Sequence, residues 1–499
     1  MRSKDHLFHL IKSLSKSEKR YFTLDAKKSG RKQSRYLTLF KTINDQEEFS
    51  EKPLKKLFGS KLGDDKARLY EAILRSMRDY QSKKSYKTRI KELLTDAKIL
   101  FERKLYEQAE NRLAEAKDLA LELEDHLAVL EINLRQRQLM RGSLDRDYQE
   151  QVKELTREKD YHIEILTKEF WLHDNYDKLS IDFLRYPQRL ANEEISVLAE
   201  NYREILSLES SQLQSFHAKW RLHQFLALFY RLKGDSEQVF NQYLQTVETW
   251  RNHDKLISEN FVLYVGDFSN LLSATSRNPD IFDSLPRLLT ELKSHEAPNY
   301  QGKTLLFERI AIYDLIYLLN KPTEDINESL RDLTKGIKQY DLTPSSHLSI
   351  HFNTILLLFL NDRFEECMEW LESLKPLLRK NLDLRRDIHE GSQIIYLLAI
   401  HSLGDFDKTE NTLRSVNRYF SKLQKSNLFS FYKLIANSIQ KLQKSSSRKE
   451  EKEVLIQLKE QISSLPRPVL AGLDEISLLW IESQVLDKSI KSLRLQKRS

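Results

Sequence analysis

Turn-forming residues are scarce in this chain of 499 residues, which has eleven glycines and ten prolines where average usage would give about 60 of the two together. So few of them cannot join many short strands, which disfavours sandwiches, barrels and glycine-rich phosphate-binding folds. Cysteine occurs once, at Cys367; a single thiol excludes an intramolecular disulfide framework and a cysteine-based zinc cluster. Long apolar runs are missing too. The longest uninterrupted one, Ile355 to Leu360, is far short of a membrane span, and Met1 to Leu10 contain no apolar signal core. With 40% hydrophobic and 31% charged residues the chain still has enough apolar surface to bury a core. These limits predict an all-α, soluble protein of the cytoplasm, with no integral membrane segment.

What the chain has in excess is positive charge at one end. Residues 1–90 carry 24 Lys and Arg against 11 Asp and Glu, a net of +13, and the other 409 carry 57 against 63, a net of −6. The spacing Ser15-x-x-Glu18 is a capping box and Gly30 a natural stop, so residues 16–29 are predicted to form a helix. On it Lys16, Lys19, Arg20, Thr23 and Lys27 share one 100° sector, and Lys28, Arg31, Lys32 and Arg35 follow directly. Glu18 and Asp25 point elsewhere and leave the stripe unneutralised. Such a stripe suits an anionic partner, and neutralising nucleic-acid phosphates requires no base-reading motif. A solvated face, or docking to an acidic protein or a membrane surface, are the competing readings. Tyr21 and Phe22 lie off the basic sector, where core packing accounts for them.

Downstream, 50–58, the turn 59–63 and 65–80 imitate a helix-turn-helix pair whose second helix shows Arg68, Arg75 and Arg78. Glu71 and Asp79 lie four residues either side of Arg75, so this face is expected to compensate itself rather than read DNA. The basic tail Lys488, Lys491, Arg494, Lys497 and Arg498 is expected to be a frayed, solvated helix end.

The rest of the chain repeats. Four segments, starting at Lys104, Gly234, Asp362 and Gly404, align on one pattern, and their starts differ by 130, 128 and 42 residues. A turn residue ends one helix, and an aromatic two positions later (Tyr106, Phe364, Phe406) plugs the hairpin. A small or compact residue three further on (Ala109, Val239, Cys367, Thr409) permits close contact. A large apolar residue (Leu113, Tyr243, Leu371, Leu413) and another position three on (Ala116, Thr246, Leu374, Val416) continue that face. Weaker units fall at the same spacing near residues 147, 190, 278, 321 and 446. Breakers sit where hairpins should close, at Tyr186-Pro187, Asn278-Pro279, Lys321-Pro322, Thr343-Pro344 and Ser445–Ser447. Pro466 and Pro468 precede a last amphipathic helix around Asp474–Leu486, suited to cap an open stack.

The four segments resemble the second half of a tetratricopeptide repeat, Gly-x-Tyr-x-x-Ala-x-x-x-Tyr-x-x-Ala. Lys104 and Asp362 replace the glycine, Ser236 replaces the aromatic, and the spacing exceeds the 34 residues of that family. The resemblance implies a right-handed α-solenoid of helical hairpins with a period of about 42, over residues 91–499, behind a basic helical domain of residues 1–90. It implies an interaction scaffold for a protein or peptide, without catalysis or cofactor. The first 90 residues resemble the openings of bacterial helical-repeat proteins, a resemblance that carries no activity with it.

Chemistry-bearing patterns do not assemble. Ala297 to Thr304 fits a permissive phosphate-loop pattern through Gly302 and Lys303, but helical sequence precedes it and it holds one glycine. Pro279-Asp280 and Glu291-Leu-Lys293 imitate a metal-dependent nuclease, whose carboxylates need adjoining strands. His347 and His351 share a helix face without the glutamate or third ligand of a zinc site, and His6 and His9 are weaker still. Cys367 holds a small-residue position and reads as packing.

Overall fold

A computed structural model of the chain describes residues 6–28, 35–82, 85–143, 148–185, 190–323, 325–381, 384–421, 427–465 and 472–496. Every regular element among them is a helix, and none is long and apolar enough to cross a membrane. The chain divides into two compact units, Met1–Ala274 with Ala297–Gly302, and Thr275–Glu296 with Lys303–Ser499.

In the first unit the opening helices His6–Ser13, Lys16–Lys28, Arg35–Asn44, Glu51–Phe58 and Leu62–Ser82 bury a core of their own, built on Ile11, Phe22, Leu39, Ile43, Leu54, Leu69 and Ile73. The predicted capping box forms: Glu18 N–H donates to Ser15 Oγ at 3.2 Å and Ser15 N–H donates back to Glu18 Oε2 at 2.8 Å. Phe22 packs on Phe40 and Tyr21 on Tyr80, with ring centroids 4.9 and 5.0 Å apart. Tyr86–Glu102, Tyr106–Glu122, His126–Ser143, Tyr148–Arg185, Phe216–Lys233 and Ser236–Arg251 then pack each on the next. The second unit repeats this habit through Pro344–Phe359, Phe364–Lys380, Arg386–Ser402, Phe406–Phe420, Asn427–Leu442, Arg448–Ser463 and Leu473–Leu486. The breakers at residues 278–279, 321–322, 343 and 445–447 fall at helix boundaries, and Tyr186, Pro187, Pro466 and Pro468 lie outside the described residues.

The aligned turn residue adopts the left-handed backbone in all four segments: φ is 61° at Lys104, 77° at Gly234, 59° at Asp362 and 72° at Gly404. The next N–H reaches back over the helix end, as from Leu105 to Leu100 O, Asp235 to Tyr230 O and Arg363 to Leu358 O, each at 3.0 Å. This satisfies carbonyls that the ending helix would otherwise leave open. Ala109, Leu113, Ala116, Cys367, Leu371, Thr409 and Leu413 are buried as the pattern requires, with Val239 and Tyr243 half-buried. Tyr106 packs on Phe101 and Phe364 on Phe359 across their turns, at 5.7 and 5.4 Å.

Three expectations need correction. Phe406 does not plug its hairpin and is 62% exposed. The position that holds Phe101 or Phe359 in the other turns is His401 here, and His401 packs instead on Trp480 at 5.9 Å. Between the weak units near 147 and 190 there is no hairpin but one helix of 38 residues, Tyr148–Arg185; the segment contains no glycine or proline to interrupt it. The C-terminal tail is not frayed through Arg494. A further helix, Ile490–Gln496, buries Ile490, Leu493 and Arg494. Asp362 accepts the N–H groups of Ile490 and Lys491, both at 2.9 Å, and Arg494 Nη2 donates to Leu319 O at 2.5 Å.

Asp362 therefore combines a strained backbone with a carboxylate cap 128 residues away in sequence, whereas Lys104 has the strain and an exposed side chain. Lys104→Gly is expected to stabilise the chain by about 0.5–1 kcal/mol, the part of the left-handed cost that glycine's own entropy does not cancel. Asp362→Gly gains the same relief but loses two charge-assisted bonds, and is expected to destabilise the chain by about 1 kcal/mol or more net. Urea denaturation of the two variants checks the opposite signs.

Candidate functional site

The basic stripe survives in part. Lys16, Arg20 and Lys27 are exposed on the helix Lys16–Lys28, and Lys19 is half-buried at its flank. The two acids of this helix turn inward, Glu18 into its capping box at 7% exposure and Asp25 half-buried. Arg35 does not extend the stripe: it donates to Asp65 Oδ2 at 2.7 Å and to Phe58 O at 2.6 Å, and it lies over the Phe58 ring. Its guanidinium is drawn to the acidic first turn of the helix Leu62–Ser82, so it braces the block internally. The Lys28 side chain and all of Arg31 and Lys32 lie outside the described residues. Other cations of the block are likewise committed. Lys55 and Lys66 both reach Glu51, at 2.8 and 3.0 Å, and hold its carboxyl down to about 2. Lys12 Nζ donates to Asn44 O at 2.8 Å. On the helix Leu62–Ser82, exposed Arg68, Arg75 and Arg78 stand among exposed Asp64, Glu71 and Asp79.

The second unit contains a groove of about 520 Å³ between the helices Tyr300–Asn320 and Asn327–Gln339. Its floor is apolar (Phe307, Ala311, Leu315, Leu333) and its rim carries Asp314, Glu328, Asp332, Lys293 and Lys335. Lys293 and Asp314 pair at 3.0 Å. Gly336 sets the groove's shape. The Phe307 ring lies so close to this helix that a Cβ on Gly336 would come within 2.0 Å of Phe307 Cε2. The sequence shows only a lone glycine inside a helical stretch, a signal for close approach of another group.

The patterns that imitated catalysis are taken up by ordinary helix structure. The segment with Gly302, Lys303 and Thr304 is the first turn of the helix Tyr300–Asn320, with Asn299 Oδ1 accepting Gly302 N–H at 2.8 Å. Asp280 sits in a turn, and Lys293 pairs with Asp314. His351 Nδ1–H donates to His347 O at 3.0 Å and the ring packs on Trp370; burial holds its pKa down to about 4. Cys367 is buried with Sγ 3.6 Å from Ile355 O, and burial pushes its thiol up to about 12, far from a nucleophile. Among the described residues no three His, Cys, Asp or Glu side chains are placed to hold a metal ion.

Buried carboxylates are what the sequence reading missed. Asp267 Oδ2 accepts the indole N–H of Trp220 at 2.6 Å and of Trp250 at 2.9 Å, while Oδ1 accepts Gln224 Nε2 at 2.7 Å. Burial raises its pKa against these bonds. Its signal was a lone acid inside the apolar stretch from Phe261 to Leu272. Glu169, also buried, accepts Ser215 Oγ–H at 2.6 Å. Beside it His126 and His162 meet through their Nδ1 atoms at 2.8 Å.

Gly336→Ala is expected to displace Phe307 and cost about 1–3 kcal/mol, the usual penalty of overpacking. Thermal denaturation and the near-ultraviolet circular dichroism of the aromatic groove residues check it; an unchanged melting curve would contradict the close approach. In the comparisons made, the chain matches no known protein family, no curated protein and no solved structure.

Proposed function

We propose that the chain is a non-enzymatic scaffold of the cytoplasm. Its helical pairs form a right-handed solenoid of tetratricopeptide-like hairpins with a period of about 42. The groove of the second unit receives an apolar side chain from a protein or peptide. The groove itself carries this reading: an apolar floor with a rim of both charge signs is the composition of a recognition site, where burial supplies affinity and the polar rim supplies register. The four left-handed turns at the aligned positions support the repeat. A photo-crosslinker at exposed Ser329 identifies the bound segment, and titration with the matching synthetic peptide measures it. Glu328→Lys with Asp332→Lys is expected to weaken that peptide at least tenfold with an unchanged melting temperature. Crosslinks that define no discrete segment, or an affinity indifferent to the rim, would count against the reading.

A second reading has its own observation. The helix Lys16–Lys28 exposes Lys16, Arg20 and Lys27 while both its acids face inward, which favours contact with nucleic-acid phosphates. Three neutralised phosphates predict a plot of log affinity against log salt with a slope of about −3. Titration of labelled duplex DNA, single-stranded DNA and RNA at several salt concentrations tests it. Reversal of the three charges is expected to abolish binding, and no binding by the full chain at low salt would remove the reading.

A further inference from the structure

His126 and His162 form a buried pair with an unusual constraint. They come from the helices His126–Ser143 and Tyr148–Arg185, both are almost wholly buried, and their Nδ1 atoms lie 2.8 Å apart. A neutral imidazole carries one N–H, so this contact needs one ring donating from Nδ1 and the other accepting there. His126 Nε2 is buried without a hydrogen-bond partner and faces Glu169 Oε1 at 3.8 Å. If His162 donates, His126 keeps its proton on Nε2 and presents an N–H to the carboxylate; the opposite assignment would set a lone pair against it. The network therefore selects one tautomer pair. Glu169 in turn accepts Ser215 Oγ–H, and Ser215 Oγ accepts Ala218 N–H at 3.1 Å in the first turn of the helix Phe216–Lys233. Hydrogen bonds at either end, joined by the 3.8 Å contact between His126 and Glu169, thus link three helices.

We propose that the His162–His126–Glu169–Ser215 chain is an acid-released latch within the first unit. One added proton leaves the Nδ1 contact standing, because a charged ring still donates to a neutral one. A second proton sets two N–H groups face to face at a distance that holds only one, and the junction must open. This follows from the count of protons and the burial, independently of the partner-binding reading above.

The surrounding charges do not rescue the doubly protonated state. Asp125 favours charge on His126, and Glu158, itself paired with Lys117, favours it on His162. Against them stand Lys117 beside His162, and His217, which is held to about 4 by burial with Lys87, His126 and His173 adding to it. Glu124 and Asp125 also raise the Glu169 pKa, though burial does so most. Burial is the largest influence on both rings of the pair and lowers both, His126 from 6.5 to about 4. The closed junction accordingly binds fewer protons than the open one. Its stability is complete above about pH 6.5 and is lost as pH falls toward 4.

Hydrogen exchange of the full chain at pH 7.5 and 5.0, corrected for intrinsic exchange, reads the opening locally. The opening of peptides from the helices His126–Ser143 and Tyr148–Arg185 is expected to rise clearly more than about 30-fold at pH 5.0, because values of 6.5 and about 4 give about 30-fold for His126 alone and the lowered His162 adds its own share. The helix Leu62–Ser82, which has no histidine, is the control. His162→Asn keeps a donor near the Nδ1 position but cannot take a proton, and is expected to hold the rise to the share of His126 alone, about 30-fold. An equal rise in the control, or a full rise in His162→Asn, overturns the latch. Should that variant fail to fold, nitrogen-15 spectra of histidine-labelled native chain decide the matter. Both rings staying neutral well below pH 6.5 supports the latch, and both rings charged with the junction closed overturns it.

Discussion

Both units depend on carboxylates that cap the start of a helix remote in sequence. A helix begins with N–H groups that have no partner and with the positive end of its dipole, so a buried start needs an acceptor. Glu259 supplies it to the helix Tyr86–Glu102, accepting Ser85 Oγ–H at 2.8 Å and Tyr86 N–H at 2.9 Å. Glu124 accepts Phe216 N–H, and Glu169 holds the adjoining Ser215. In the second unit Glu308 takes Thr343 N–H and Ser346 Oγ–H, and Asp362 takes Ile490 and Lys491. A charged acceptor on a buried N–H is worth more than a neutral bond and leaves a costly orphan when removed. Apolar faces alone allow helices to slide; these caps fix which turn meets which. They are the register of the stack.

This distinction explains what was legible in the sequence. Local devices could be read because both partners lie within a few residues. Ser15 with Glu18 formed the expected box, and the four aligned turns share the left-handed backbone whether glycine, lysine or aspartate occupies them. The buried faces of Ala109, Cys367 and Leu413 followed from spacing. Remote caps were illegible because the fold chooses the partner. Asp362 read as a departure from glycine, although its carboxylate is what the position supplies. Arg494 read as solvated for the same reason: the carbonyl it reaches, Leu319 O, is 175 residues away. Phe406 failed differently, since the pattern at its own position was correct and its partner position had become histidine.

The groove was not legible either, although one residue hinted at it. Gly336 interrupts an otherwise regular helical pattern, and only the Phe307 ring pressed against it gives the interruption a purpose. The acids that line buried sites were equally quiet. Asp267, Glu169 and Glu308 look like ordinary interruptions of apolar stretches, yet each is held by donors from other segments. Protein donors reach all three, with three bonds at Asp267, two at Glu308 and one at Glu169.

The charge at the start of the chain divides into two physical quantities that net counting merges. The +13 of residues 1–90 sets the potential felt at a distance, and pairing Lys55 and Lys66 with Glu51 or Arg35 with Asp65 does not change that sum. Contact with an anion depends instead on cations free to meet it, and the described surface of the helix Lys16–Lys28 offers Lys16, Arg20 and Lys27. The distant field is screened within about 8–10 Å at physiological salt, so it governs how fast an anionic partner arrives. The three side chains govern how long it stays. A block that engages Arg35, Lys12, Lys55 and Lys66 internally therefore has a stronger field at a distance than its unengaged cations alone would give at contact.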